Sequence, residues 1–399
     1  MTSNMKTPHV LIIGGGPGGL TLAQALRKQG ASFQVFERDL NYDSRQGWAI
    51  SLHWSLNELA SQLPSDLGPF EETSVLKILN LQDGGSFYDS GGNKLITVGN
   101  GPKGHDDYSI RCNRSKLRAM MAQHVQIERN KKFVRYEETK DGVTAFFEDG
   151  SSASGDILVG ADGVHSRVRS QLLRDNPVDP TPSPYGIITG QMVITKEQYQ
   201  KELENGPSFY STHSSKSHIF VGLKNISDDL ETANYYWMYF WGDKKAAELG
   251  KKYWTQAATC EELLKLTQLV RMATPDTIMY PPLQFYQWAP YQELPPGRVT
   301  LLGDAAHPMM PFRGEGANNA LLDAVRLAGQ IGKHFDSGVV DWVALAKLDY
   351  EKEMLPRGAD AVLKSSFISD APAEEFRRRQ QEMIERLKLG SVTSSREVM

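Results

Sequence analysis

Three glycines near the start of the chain, Gly14, Gly16 and Gly19, stand in a G-x-G-x-x-G array, and an acid, Glu37, follows 18 residues after the last of them. Residues of these types at this spacing can hold a dinucleotide. The first glycine turns the backbone tightly, the second admits a pyrophosphate, and the third lets a helix pack closely on a strand. A helix that starts there presents unpaired N–H groups and a partial positive charge to phosphate oxygens. A carboxylate about 20 residues further on is placed to meet an adenosine ribose.

Two more clusters set an acid beside glycine after an aliphatic run. Ile157 to Val159 lead into Gly160-Ala161-Asp162-Gly163, with Arg167 and Arg169 close behind. Val299 to Leu302 lead into Gly303-Asp304, then a turn with Pro308 and Pro311, then Gly314 and Gly316 at the start of a helix. Asp304 at a strand end can accept hydrogen bonds from a sugar-alcohol chain. The amides of Gly316, Ala317 and Asn318 can hold a negatively charged ring edge.

The elements that must position these groups follow from the pattern of apolar residues. Val10 to Ile13 is a continuous aliphatic run, as expected of a parallel strand covered on both faces. Leu20, Ala23 and Leu26 recur at helical spacing, Gly30 suits a helix C-cap, and Phe33 to Phe36 form the next strand. Asp149-Gly150 turns a hairpin before the second cluster. After Gly316 a helix carries Ala320, Leu321, Val325, Leu327 and Ala328 on its apolar side. From Tyr185 to Trp288 the rhythm changes to aromatic-rich strands such as "YYWMYFWG", where Tyr236, Met238 and Phe240, or their alternates, line a pocket. An amphipathic stretch, "DWVALAKLDYEKEML", precedes a last candidate helix, Ala373 to Leu389, with Phe376, Met383, Ile384 and Leu387 as its apolar set. Its arginines, Arg377 to Arg379, are interleaved with Glu374, Glu375, Glu382 and Glu385, so they form a solvated helix face.

Composition narrows the function class. With 44 basic and 48 acidic side chains the net charge is −4, which marks no nucleic-acid partner. The two cysteines, Cys112 and Cys260, lie far apart, as suits a reducing compartment, and His307 in "HPMMP" reads as structural, leaving no metal site. No stretch reaches the ~18 apolar residues of a membrane span. A cytoplasmic protein is expected, without a signal peptide.

Together and in this order, the three motifs resemble those of the FAD-dependent monooxygenases of the aromatic-hydroxylase group, over roughly residues 8–355. That group includes p-hydroxybenzoate and salicylate hydroxylases and tetracycline-inactivating monooxygenases. The resemblance implies an α/β fold: a Rossmann-like FAD-binding domain (1–184), a β-sheet substrate domain (185–290), a return to the FAD-binding domain (291–355), and a C-terminal helix and tail (356–399). It implies FAD along the first βαβ unit, with Glu37 on the ribose and Arg38 close by, and Asp162 and Asp304 as the motif acids. "NRSKLR" matches the group's Arg-x-x-Leu and puts Arg114 near the FAD chain. "SRQGWAISLH" resembles the segment beside the flavin ring, which brings in Arg45 as a catalytic candidate and the backbone of Ile50, Ser51 and Leu52. Pro311, Gly314, Gly316, Ala317 and Asn318 complete the implied cofactor contacts. Some tetracycline-modifying relatives carry Asp where Ser51 stands, which counts against their substrate here.

The implied reaction draws hydride from transient NADPH, captures O2 as a flavin C4a-hydroperoxide, and hydroxylates or epoxidises an electron-rich aromatic or polycyclic small molecule. Two other functions fit the same residues. One is an FAD-dependent oxidase or reductase of this fold, and the other is a non-catalytic flavin-fold binding protein. The intact Gly303-Asp304 pair and the helix-start amides speak against the last.

Overall fold

A computed structural model describes residues 7–41, 48–89, 91–105, 107–183, 185–213, 217–241, 277, 285–290 and 293–366. The chain opens with β1 (His9–Ile13), α1 (Pro17–Gln29) and β2 (Ser32–Phe36), followed by β3 (Ala49–Leu52) and α2 (Leu56–Gln62). Next come β4 (Gly85–Tyr88), β5 (Lys94–Val98), β6 (Ile110–Asn113), α3 (Arg114–Met121) and β7 (Ile127–Glu128). A hairpin region, β8 (Phe133–Glu138), β9 (Val143–Phe147) and β10 (Ser152–Gly155), leads to β11 (Ile157–Gly160) and α4 (Arg167–Leu172). Then follow β12 (Thr181–Pro182), β13 (Gly186–Thr195), α5 (Lys196–Asn205), β14 (Phe209–His213), β15 (Ser217–Ile226) and β16 (Thr232–Trp241). The last described elements are β17 (Tyr286–Gln287), β18 (Val299–Leu301), α6 (Gly316–Asp336) and α7 (Trp342–Ser365). The candidate helix Ala373 to Leu389 lies outside the described residues.

Five parallel strands in the order β18-β11-β1-β2-β7 form the first sheet. Its central strand, β1, is buried from Val10 to Ile13, which accounts for an aliphatic run without alternation. Helices α1 and α6 pack together on one side, where a Cβ on Gly332 would touch Gln29. The β8–β10 meander covers the other, with the Phe147 ring centred 4.5 Å from that of Phe36 and tilted 34° to it, and Gly155 against Leu11. Burying a Leu, Ile or Val side chain in such a core contributes about 1.5–3 kcal/mol. Gly30 ends α1 at φ +72°, the left-handed cap that its residue type suits.

A second sheet has the order β13-β16-β15-β14-β4-β5, antiparallel except where β14 meets β4. Two of its six strands, β4 and β5, come from residues 85–98, far upstream of the aromatic segment. Alternation along β16 separates its aromatics. Tyr235 and Trp237 join a core beneath α5, whereas Met238 and Phe240 pack with Met310 and Phe312. Between the two large sheets runs the ribbon β3–β6. Ile50, Leu52, Ile110 and Cys112 face the first core, and Ser51 and Arg111 turn to the second sheet.

Candidate active site

The glycine turn is shaped by the backbone around it. Gly14 has φ +118°, and a Cβ there would sit 2.3 Å from the carbonyl oxygen of Ala161. A Cβ on Gly19 would lie 2.1 Å from Gly14 O, so neither position tolerates a side chain. Gly16 differs, because nothing lies within 4 Å of a Cβ built on it. It caps α1, no side chain accepts from that helix end, and Pro17 occupies the first turn. The result is an open, donor-rich helix terminus, the form a pyrophosphate requires.

Glu37 stands at the end of β2. Its Oε2 accepts from Gly15 N at 2.9 Å and its Oε1 from Asp39 N at 3.1 Å, so the carboxylate is fixed against the glycine turn. Arg38 projects outward, with 62% of its side chain exposed. Arg114 begins α3, its N bonded to Trp48 O at 3.1 Å and its Nε buried without a hydrogen-bond partner. One turn later the buried Arg118 donates from Nε to Gly15 O at 2.9 Å and braces the turn from its far side. Arg118 escaped the sequence reading. Its signal was spacing, since it lies four residues from Arg114 on one helix face.

Asp162 does local work. Its carboxylate accepts from Ser166 Oγ, from Arg167 N at 2.8 Å and from Val168 N at 3.3 Å, closing the start of α4. Burial raises its pKa, against the pull of those hydrogen bonds. The two arginines after it turn to carbonyl groups. Arg167 reaches Phe133 O at 2.9 Å. Arg169, 2% exposed, donates to Ala305 O at 2.9 Å and Asp304 O at 3.3 Å, tying the Asp162 loop to the Asp304 loop.

Asp304 is exposed, although Leu302, Gly303, Ala305 and Ala306 around it are all buried. Beneath it lies the fully buried Asp323, which accepts from Gly303 N at 2.8 Å, His307 Nε2 at 2.6 Å and Arg357 Nη2 at 2.7 Å. Burial alone would raise the Asp323 pKa, but His307 and Arg357 outweigh it and hold the pKa below the usual value. The Asp304 turn therefore rests on a buried ionic support.

Pro311 opens a short 3-10 turn that ends at Gly314, φ +63°. Gly316, Ala317 and Asn318 are the first residues of α6, where no side chain accepts from the helix end. Asn318 fastens this helix start to β3. Its Nδ2 donates to Ser51 O at 2.8 Å and Gly314 O at 3.1 Å, and its Oδ1 accepts from His53 N at 3.1 Å and Ser55 Oγ at 2.8 Å. Ile50, Ser51 and Leu52 thus run beside the helix-start amides. Just beyond them, burial pushes His53 down to about 4, with Glu315 opposing. Arg45 lies outside the described residues.

The second sheet presents aromatic rings to this strip. Phe312, eight residues past Asp304, packs 4.8 Å from Phe240, 5.2 Å from Tyr185 and 5.5 Å from His218, centre to centre. Tyr236 stacks on Trp48 at 4.6 Å and 9°. Trp48 Nε1 donates to Gln191 Oε1 at 2.8 Å, and Lys224 Nζ reaches the same oxygen at 3.3 Å. Arg111 joins Ser51 to Tyr236. Arg111, Gln191 and Lys224 carried no motif, and Trp48, although within "SRQGWAISLH", was not singled out as a site residue.

A parallel sheet with a glycine turn, a carboxylate at the end of its second strand and two acid-bearing loops at its carboxyl edge is a dinucleotide-binding fold covered by a second, aromatic sheet. The family profile described as FAD binding domain matches residues 101–364, and one described as NAD(P)-binding Rossmann-like domain matches residues 12–41. The FAD-dependent monooxygenase thnD of Trichoderma harzianum is 35% identical over 89% of this chain and 91% of its own. The FAD-dependent monooxygenase phnB of Penicillium herquei is 31% identical over 89% and 88%. Among solved structures, a putative FAD-containing monooxygenase from Photorhabdus luminescens superposes with a TM-score of 0.69 at 26% identity, over 90% of this chain and 97% of that one. The chain belongs to the FAD-dependent monooxygenases. It is an enzyme whose cofactor is FAD, with NAD(P)H and O2 as co-substrates and a small molecule as substrate. Among the described residues, no helix is long and apolar enough to cross a membrane.

Proposed function

We propose that this monooxygenase hydroxylates or epoxidises an electron-rich aromatic or polycyclic small molecule, with NADPH as the hydride donor. The observation that carries the reading is the aromatic face of Tyr236, Met238, Phe240 and Phe312 set against the β3 strip that Asn318 fastens to α6. Flat, apolar walls on one side and fixed backbone groups on the other suit a planar ring held over a planar cofactor.

The residues present fit FAD. The open side of Gly16 and the free terminus of α1 would receive the pyrophosphate, with Gly14 and Gly19 holding the turn. Glu37 would accept from the adenosine ribose, with Arg38 at the adenosine end and Arg114 and Arg118 beside the chain. Asp304, exposed above its buried support, would accept from the ribityl hydroxyls. Asp162 would shape its loop rather than touch the cofactor. The amides of Gly316, Ala317 and Asn318, carried by the turn from Pro311 to Gly314, would face the ring edge, and Ile50, Ser51 and Leu52 would line its side. When bound, FAD supplies hydride acceptance and oxygen activation.

The chain's own task is then to hold, orient and dry the site. Phe240, Phe312 and Met310, packed together, would help to exclude water from the substrate side of the site. Arg45, outside the described residues, is proposed to orient the nicotinamide or the flavin. A cytoplasmic location belongs to the same proposal. The test is steady-state NADPH oxidation and oxygen uptake across a panel of phenols and fused-ring aromatics. Compounds that stimulate both together, and yield a product heavier by one oxygen atom, support the reading. Aliphatic compounds alone giving that result would refute it.

A further inference from the structure

The aromatic face given above to the substrate contains two thioethers. Met238 on β16 and Met310, just before Pro311, pack with Tyr185, Phe240 and Phe312. Met310 is buried, whereas Met238 is half-buried and so keeps one side open. In the chain, Met310 stands between Asp304 and Gly316, the residues proposed for the ribityl chain and the ring edge. Its neighbour Met309 turns the other way, onto Ala289, Ala361 and Val362. The remaining described methionines belong to other cores. Met120, Met121 and Met354 lie in the first, and Met192 lies beneath α5, on the opposite face of the second sheet.

A thioether is soft and polarisable, and it accepts one oxygen atom to become a sulfoxide. The face also holds a donor suited to that product. Thr189 stands directly opposite Met238 in the β13–β16 register, so the two side chains share a face. Thr189 is fully buried, and its Oγ1 has no hydrogen-bond partner. A buried hydroxyl left unpaired is unfavourable, and a sulfoxide oxygen on Met238 would give it an acceptor. Leucine would fill the same volume without offering an oxidisable atom.

We propose that Met238 and Met310 are a self-modification site. When no substrate covers the aromatic face, the oxygen that the enzyme activates goes to their sulfur atoms. The step balances with the co-substrates of the established activity. NADPH gives up two electrons as hydride and becomes NADP+. Together with one solvent proton, that hydride converts one atom of O2 to water. The second oxygen atom bonds to sulfur, which is oxidised from thioether to sulfoxide. A polar S–O group then stands in an apolar face, and affinity for an apolar ring falls until the sulfoxide is reduced. The inference rests on the reading that this face receives the substrate.

The test turns over the FAD-loaded enzyme with NADPH and O2, without substrate and with catalase present, and maps its peptides by tandem mass spectrometry. Met238 and Met310 should gain one oxygen atom severalfold more often than in a sample without NADPH. Met309, Met121, Met192 and Met354 should not change. Met309 is the most telling control, because it adjoins Met310 in the chain and faces away from it. Hydrogen peroxide added without NADPH should fail to give this pattern. A gain at either member of the pair, with those controls unchanged, bears the proposal out. No gain at either, an equal gain at Met309 and the core methionines, or the same pattern from peroxide alone overturns it. The panel of phenols and fused-ring aromatics, run on the same enzyme, separates the two ideas. Oxygenated aromatic products with Met238 and Met310 unmodified refute this inference alone. A modified pair in an enzyme that oxygenates only aliphatic compounds keeps the modification site and refutes the aromatic reading.

Discussion

Replacing Asn318 by alanine tests whether the β3 strip is held by α6 or merely lies beside it. The side chain is fully buried and makes four hydrogen bonds, donating to Ser51 O and Gly314 O and accepting from His53 N and Ser55 Oγ. Each such bond contributes about 1 kcal/mol net, and a buried group left without a partner costs about 1–3 kcal/mol. Part of that is recovered where the loop relaxes toward water, so the loss should total roughly 3 kcal/mol. In a chain of this size about 2 °C of thermal midpoint follows each kcal/mol, so the FAD-loaded variant should melt several degrees lower. Function should suffer separately from stability. With β3 released, NADPH consumption should be less coupled to product, measured as hydrogen peroxide formed per NADPH at a temperature where the variant is folded. Asn318→Asp keeps the two acceptor contacts but sets a carboxylate against the carbonyl groups of Ser51 and Gly314, and it should be no better than alanine. A midpoint within a degree of the parent, together with unchanged coupling, would refute the clamp.

Four further outcomes are expected. Glu37→Ala should weaken FAD retention by about 1.5–3 kcal/mol, the range for hydrogen bonds to a charged acceptor, read as FAD released on dilution. Asp304→Ala should fold normally yet purify depleted of flavin, because the residue is exposed; full occupancy would show that it does not hold the ribityl chain. Arg45→Lys should keep FAD but slow anaerobic flavin reduction at saturating NADPH in stopped flow, since a lysine cannot copy the planar fork; an unchanged rate would make Arg45 an ordinary surface charge. His53 titrates near 6.5 when unfolded and at about 4 when folded, so the unfolded chain binds more protons between those values and stability falls as pH drops from 6.5 toward 4. That effect is worth roughly 3 kcal/mol, and His53→Asn should flatten this acid limb in pH-dependent denaturation.

What the sequence showed was local. Gly14, Gly16 and Gly19 could be read because the spacing of one strand, one turn and one helix fixes what each must do. The close approach of Gly14 to Ala161 O then bears out the need for glycine through a residue of the second motif. The aliphatic runs at Val10, Ile157 and Val299 gave three strands of the first sheet for the same reason, since strands covered on both faces cannot alternate. Alternation in "YYWMYFWG" announced two faces but not which one meets the cofactor strip. That depended on Met310 and Phe312, which arrive from another part of the chain. Strands β4 and β5 were hidden because a run as short as "GSFY" says nothing about its partner, which proves to be β14 over a hundred residues later. Pro356 lacks the N–H that an unbroken helix uses, yet α7 runs through it to Ser365.

The ties that a reading along the chain could not supply share one property, which is that their partners are remote. Arg169 reaches the Asp304 loop across 135 residues, Asn318 reaches Ser51 across 267, and Arg118 reaches Gly15 across 103. Neither Arg169 nor Asn318 has a spacing that betrays its tie, and Arg118 has only its place one turn after Arg114, because each acts through a tertiary hydrogen bond and not along its own helix. Gly16, Glu37 and Asp304 form the surface we propose a cofactor touches, while Arg118, Arg169, Asp323 and Asn318 fix how the pieces of that surface stand to one another. Loss of a buried tie should therefore lower stability and cofactor retention together, because one set of bonds supports both. Loss of the exposed Asp304 should lower retention alone. That separation, measurable as midpoint against FAD content across the variants, is the physical difference between a residue that touches the cofactor and one that builds its seat.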